Sequence, residues 1–313
     1  MAVQHYSSSE DFLDALFSRV PRAGVTLALV GLNIAVFLAL AVQAGALWHV
    51  PGAVLADWGG NYAVQTRAGQ WWRLLSALFL HGGLLHVSLN MLALYQAGQL
   101  AERLFGHRRF LFIYVACGAL ASVASVWWRP DGLSIGASGA VFGVFGALLS
   151  HVLVCRASVP PGLFHRLRKA LLGFIAYSLI AGFLLPGIDN AAHVGGLLAG
   201  LVLGAALAEP LGETTLRLNR AAAGAGVVAL AAFLLLHATP PVKPARMQTY
   251  AFNAIGALEG HQETQLVQRY QLLADALRAG RMSDAQAVAV IENELIPGWK
   301  ALEETVAAAG DGD

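Results

Sequence analysis

Seven apolar runs, each near the length of a membrane span, divide this chain at 24–47, 84–104, 109–128, 137–155, 168–186, 190–208 and 221–238. A helix of about 20 apolar residues crosses about 30 Å of hydrocarbon. Lipid offers backbone amides no partner, so a crossing segment of this kind must be helical. The predicted fold class is therefore an all-α polytopic membrane protein. Hydropathy alone identifies the run at 84–104 least well, because it carries polar residues. Composition agrees with lipid burial. The 313 residues are 57% hydrophobic and 12% charged, against about 25% charged in soluble domains. A formal net charge of +1 leaves no basic footprint for nucleic acid. The 34 glycines suit helices that pack closely in lipid. Cys117 and Cys155 both fall in apolar runs and read as small buried packers, not as a disulfide.

Residues 1–23 form a polar N-terminal segment. Within it Phe12, Leu13, Leu16, Phe17 and Val20 share one helical face, which suits a short interfacial helix. The apolar run that follows is too long for a removed signal peptide and reads as a retained anchor. Positive charge sets the expected orientation. Arg19, Arg22, Arg103, Arg108, Arg109, Arg156, Arg166, Arg168, Lys169, Arg217 and Arg220 collect on one side, against only Arg67, Arg73 and Arg129 in the opposite loops before the last span. The N-terminus is expected in the cytoplasm and the C-terminus outside, in a multi-pass protein of the bacterial inner membrane. The long first outer loop, 48–83, holds Trp48, Trp58, Trp71 and Trp72, side chains that prefer the headgroup level. A core over 24–208 is expected, then a cytoplasmic loop and seventh span at 209–240. A small helical tail outside the membrane follows at 241–313. In that tail Leu266, Tyr270, Leu273 and Leu277 fall on one face, and Ser283 with Gln286 reads as a capping box.

With this orientation, polar residues from three spans converge in depth. His86 and Asn90 lie in the outer half of the second span, Ser138 begins the fourth, and His193 sits in the first turns of the sixth. Each alone has a plain structural explanation, as a packing serine or an interhelical hydrogen bond. Their common depth favours chemistry. A serine hydroxyl is a poor nucleophile until a base takes its proton, and a neutral histidine within hydrogen-bond reach is the usual base. Gly139 and Gly143 on one span, and Gly196, Gly200 and Gly204 on the other, are small-xxx-small stripes that let two helix backbones approach. Phe142 lies one turn below Ser138 on the same face, placed to stack on the imidazole. His86 and Asn90, four apart on one face, are suitable donors to the oxyanion of a tetrahedral intermediate, together with the Ser138 backbone N–H. Asp189, four residues before His193, could be a triad acid, but the preferred reading is that Asp189 or Asn190 caps the sixth helix, which leaves a Ser–His dyad. His81 and His86 lack a carboxylate or thiol partner at metal-site spacing, and the glycine-rich stretches lack the lysine and strand context of a phosphate loop. Neither a metal nor another cofactor is expected.

Four motifs then stand in order: WWR at 71–73, HGGLLHVSLN at 81–90, GASG at 136–139 and AHVGGLLAG at 192–200. Together they resemble the rhomboid family of intramembrane serine proteases, over about residues 24–208. The resemblance implies a six-helix core plus, in this chain, a seventh helix. It implies Ser138 as nucleophile, His193 as general base and then acid, and His86, Asn90 and the Ser138 N–H as the oxyanion hole. His81 would support the first loop, and Trp72 with Arg73 would order it. Gly136 and Gly139 frame the serine, while Glu102 and Gly106 match a structural position at the cytoplasmic end of the second helix. Phe142 stands where the family often has tyrosine, so a ring is kept and a hydroxyl lost.

By the same resemblance, the substrate would be a single-pass transmembrane protein cut near the outer surface. It would reach the site past the fifth span, where Phe174, Phe183 and Leu184 are gate candidates, with ordinary packing the default for each. Two other readings stay open on the residues: a rhomboid-shaped protein that binds client helices without cutting them, and a solute transporter. The transporter would need broken helices and an internal repeat, and the sequence shows neither.

Overall fold

The computed structural model describes residues 6, 8–129, 132–185, 187–211, 218–237 and 265–310. Pro186, Arg217 and the 241–264 stretch of the expected tail lie outside these. The chain divides into two compact units, Met1–Pro241 and Val242–Asp313. Among the described residues the structure is helical, apart from one isolated β-bridge between Asn61 and Ser134.

The first unit opens with α1 (Ser9–Arg19), started by a reciprocal capping box between Ser8 and Asp11. Its Phe12 and Leu16 are buried, whereas Leu13 and Phe17 stay exposed, and the Arg103 guanidinium lies 4.3 Å over the Phe17 ring. Helix α2 (Gly24–Ala44) follows and ends at Gly45 in the left-handed region. Residues 48–83 fold into short helices α3 (Gly52–Asp57), α4 (Ala63–Arg67) and α5 (Arg73–Ser76). The longer helices are α6 (Leu84–Phe105), α7 (His107–Trp128), α8 (Ser138–Val154), α9 (Pro161–Leu184), α10 (Asn190–Leu207) and α11 (Leu218–His237).

Five helices (α2, α7, α9, α10 and α11) are long and apolar enough to cross a membrane, and α6 joins them as part of a bent pair with Arg73–Phe79. This is a multi-pass membrane protein. The expected fourth span is the exception. With 17 residues, α8 rises about 25 Å, short of the hydrocarbon thickness. It is enclosed by its neighbours along nearly its whole length, so it need not meet lipid.

The α8–α10 pairing is the tightest in the unit. A Cβ added at Gly196 would lie 1.9 Å from the Gly139 carbonyl oxygen, and one at Gly200 would lie 2.0 Å from that of Gly143. At Gly204 it would fall 2.4 Å from the Ala147 Cα. The two backbones therefore touch, as the small-residue stripes predicted. By contrast α9 is mostly exposed along its length.

At the end of α6 far from Ser138, Glu102 is fully buried. Its carboxylate accepts from the Val25 N–H (2.9 Å), the Thr26 N–H (2.7 Å) and the Thr26 hydroxyl (2.7 Å). These amides belong to the first turn of α2, which has no acceptor of its own. Glu102 is thus a cap supplied from another helix, and His107 Nδ1 joins it at 2.5 Å. Glu102→Ala is expected to cost about 2–3 kcal/mol, read as a lowered thermal midpoint in detergent. An unchanged midpoint would show that the contact stabilises nothing.

In the second unit, α12 (265–278) pairs with α13 (Asp284–Val290), which runs through a π-turn, Ile291–Leu295, into α14 (Ile296–Gly310). Ser283 and Gln286 form the capping box. Leu273, Ala287 and Leu295 make the small core, flanked by Leu266 and Leu277. Tyr270 departs from the expected face and is 58% exposed. A two-helix hairpin covers only a narrow stripe, and the Arg269–Glu294 ion pair takes the flank beside it.

Candidate active site

Ser138 is the first residue of α8, where a helix leaves N–H groups without intrahelical partners. The turn before it needs Gly136. That residue has φ +111°, and a Cβ there would sit 2.8 Å from His86 Nε2. Glycine therefore serves both the left-handed backbone and the approach of the imidazole. The Gly136 N–H donates to Ala77 O at 2.9 Å, and the Ala137 N–H donates to His81 Nε2 at 3.4 Å. His81 is fully buried and packs edge-on to His86 at 5.0 Å between centroids.

His193 is the fourth residue of α10 and is buried. Because α8 and α10 meet backbone to backbone, its Nε2 lies 2.9 Å from Ser138 Oγ. The Phe142 ring stacks on the imidazole, with centroids 4.3 Å apart and planes 16° from parallel. The site thus joins a hydroxyl, an imidazole and a ring that fixes the imidazole plane. His86 reaches the Gly136 turn from α6, and its Nδ1 accepts from the Gly82 N–H at 3.4 Å. Asn90, one turn on and buried, donates its Nδ2 to His86 O at 3.0 Å. The amide thus points back along α6 and not onto Ser138.

Asp189 is the N-cap of α10: its Oδ1 accepts from the Ala192 N–H at 3.1 Å. Its Oδ2 accepts from Ser125 Oγ of α7 at 2.5 Å. His193 Nδ1 has no hydrogen-bond partner among the described residues. A small hollow of about 10 Å³ borders Ser138 and reaches Ser122, Ser134 and Asp189.

The loop over the site is tied by Arg73. It donates to Ala56 O (2.6 Å), Gly60 O (2.9 Å) and Gln70 Oε1 (2.6 Å), and its guanidinium lies 4.7 Å from the Trp72 ring centroid. The Trp72 ring fills the space beside Gly59. Asn61, not singled out from sequence, donates to Ser122 O at 3.0 Å, accepts from the Thr66 hydroxyl at 2.7 Å and bridges to Ser134. It fastens the loop both to α7 and to the segment leading into Ser138. Of the three gate candidates, Phe174 packs inward and stacks on Phe145 at 3.8 Å, while Phe183 and Leu184 are 78% and 76% exposed.

A protein-family comparison matches the Rhomboid domain over residues 68–210. The chain is 32% identical over 200 residues to rhomboid protease AarA of Providencia stuartii, covering 57% of this chain and 70% of that protein. It is 36% identical over 181 residues to rhomboid protease GluP of Bacillus subtilis, covering 58% of this chain and 34% of GluP. It is 41% identical over 138 residues to RHOMBOID-like protein 5 of Arabidopsis thaliana, covering 44% of each. The chain belongs to the rhomboid family. It spans about a third of GluP and under half of the Arabidopsis protein.

Proposed function

We propose that this protein is an intramembrane serine endopeptidase that cuts single-pass transmembrane substrates near the outer membrane surface. The observation that carries the reading is the 2.9 Å contact between Ser138 Oγ and His193 Nε2, with the Phe142 stack holding the ring for it. Ser138 attacks the scissile carbonyl as its proton passes to His193 Nε2. Negative charge develops on the carbonyl oxygen. The Ser138 backbone N–H and the His86 and Asn90 side chains are the donors assigned to that charge. Asn90 must turn from its own helix carbonyl to take part, and catalytic hydrogen bonds commonly tighten only in the substrate complex. His193 then protonates the leaving amine, which gives an acyl-enzyme, and next takes a proton from the attacking water. The hollow beside Ser138 is about the size of that one water. No cofactor takes part in this scheme.

The weak packing of α9 supports lateral access for a substrate helix, with Phe174 as the inward side chain that would be displaced. In this reading residues 24–208 are the catalytic core. Residues 1–23 and the loop opening the 209–240 segment face the cytoplasm of a bacterial inner membrane, and the 241–313 tail lies outside. The basic residues on the side opposite Ser138 support that orientation.

A fluorophosphonate probe tests the reading directly. The wild-type protein in detergent should label at one serine, and Ser138→Ala should abolish both the label and the cleavage of a model single-pass substrate. Equal labelling of both proteins, or a Ser138→Ala variant that still cuts, would overturn it.

A further inference from the structure

A serine–histidine pair must form an imidazolium during the reaction, and here three observations make that cation awkward to hold. His193 lies in the first turn of α10, the end of a helix dipole that repels positive charge. Its Nδ1, the nitrogen an acid would ordinarily hold, has no hydrogen-bond partner among the described residues. The site is buried, so water screens little of the repulsion. Asp189 places a carboxylate one turn away. Its backbone carbonyl accepts the His193 N–H at 3.1 Å. One carboxylate oxygen caps α10 and the other is taken by Ser125 of α7. Two donors thereby fix the carboxylate at the positive end of the helix. Of the two ionisable groups whose charge acts on His193, Asp189 and His86, only Asp189 is an acid.

We propose that Asp189, anchored by Ser125, is a positioning residue that offsets the α10 dipole and so favours the protonated form of His193 in the transition state. It does so through the helix end and not as a hydrogen-bonded triad member. The inference rests on the serine-protease reading above. Ordinary capping explains the Ala192 contact, but it does not require a charge, since asparagine caps a helix about as well as aspartate.

That equivalence gives the test. Asp189→Asn keeps the shape and the cap and removes the charge. With the purified full chain and a model transmembrane substrate, its thermal midpoint and KM should match wild type, while kcat and the fluorophosphonate labelling rate fall about tenfold, equivalent to about 1.4 kcal/mol of barrier. Wild-type kcat in Asp189→Asn, or a loss matched by a fall in thermal midpoint, would overturn the proposal. If Asp189→Asn does not accumulate, Ser125→Ala serves. It keeps cap and charge but frees one oxygen, and should lower kcat a few-fold at constant KM, with Ser125→Thr restoring it. A Ser125→Ala enzyme with full kcat would sink the anchoring role. Ser138→Ala is run alongside: residual cutting there counts against the protease reading itself, whereas an inert Ser138→Ala beside a fully active Asp189→Asn counts only against this inference.

Discussion

His193→Ala is expected to lower kcat by about 10⁴-fold or more while leaving KM within a few-fold of wild type. Removing one member of a serine–base pair disables the whole unit, and in a well-studied serine protease losing either the serine or the histidine costs about 10⁶ in kcat. The geometry points to the same behaviour here. With His193 gone, Ser138 Oγ loses the acceptor at 2.9 Å, and Ser138 has no other side-chain partner among the described residues. The double variant Ser138→Ala, His193→Ala should therefore be no slower than either single variant. Initial rates on a model transmembrane substrate give the comparison. Rates that multiply across the two changes would mean that the residues act independently, and the dyad assignment would fail.

Gly200→Val is the second large effect, and it acts on the scaffold instead of the chemistry. The new Cβ would meet the Gly143 carbonyl oxygen at 2.0 Å. That atom is helix backbone and cannot rotate aside, so α8 and α10 must separate. Overpacking a filled interior commonly costs 1–3 kcal/mol; with backbone on both sides, about 3 kcal/mol or more is expected here. Much of the protein should fail to accumulate, and what folds should be inactive, because the same separation carries Ser138 away from His193. Gly173→Val on α9 is the control, since no atom lies within 4 Å of its added Cβ. Equal accumulation and activity in the two variants would show that the contact is not needed.

Much of this arrangement was legible before any coordinates. Most of the long helices follow from apolar length, α6 least clearly, and the α8–α10 approach follows from glycines four residues apart on each. The meeting of Ser138, Phe142 and His193 is a consequence of that spacing. What the sequence hid was of two kinds. One was partners far apart in the chain: Ser125 looks like any serine inside an apolar span, and nothing local announces its bond to Asp189. Asn61 was missed for the same reason, since its value lies in joining the 48–83 loop to α7 and to Ser134. The other was length. The run at 137–155 looked like one more span, yet α8 is shorter than the bilayer is thick. Hydropathy cannot separate a helix facing lipid from one enclosed by protein. Asn90 shows a related limit: helical spacing puts it on the His86 face, but the direction of its amide is set by a nearby carbonyl.

The backbone contact between α8 and α10 bears on how the enzyme meets different membranes. Helices that face lipid tilt or shift when bilayer thickness changes, and α9 is the most exposed of the long helices packed against α8. The separation of hydroxyl from imidazole does not depend on such helices. It is gauged by carbonyl oxygens resting on glycines, a stop that lipid does not touch. Under the proposed function, substrate admission can therefore vary with the surrounding membrane while the Ser138–His193 spacing stays constant.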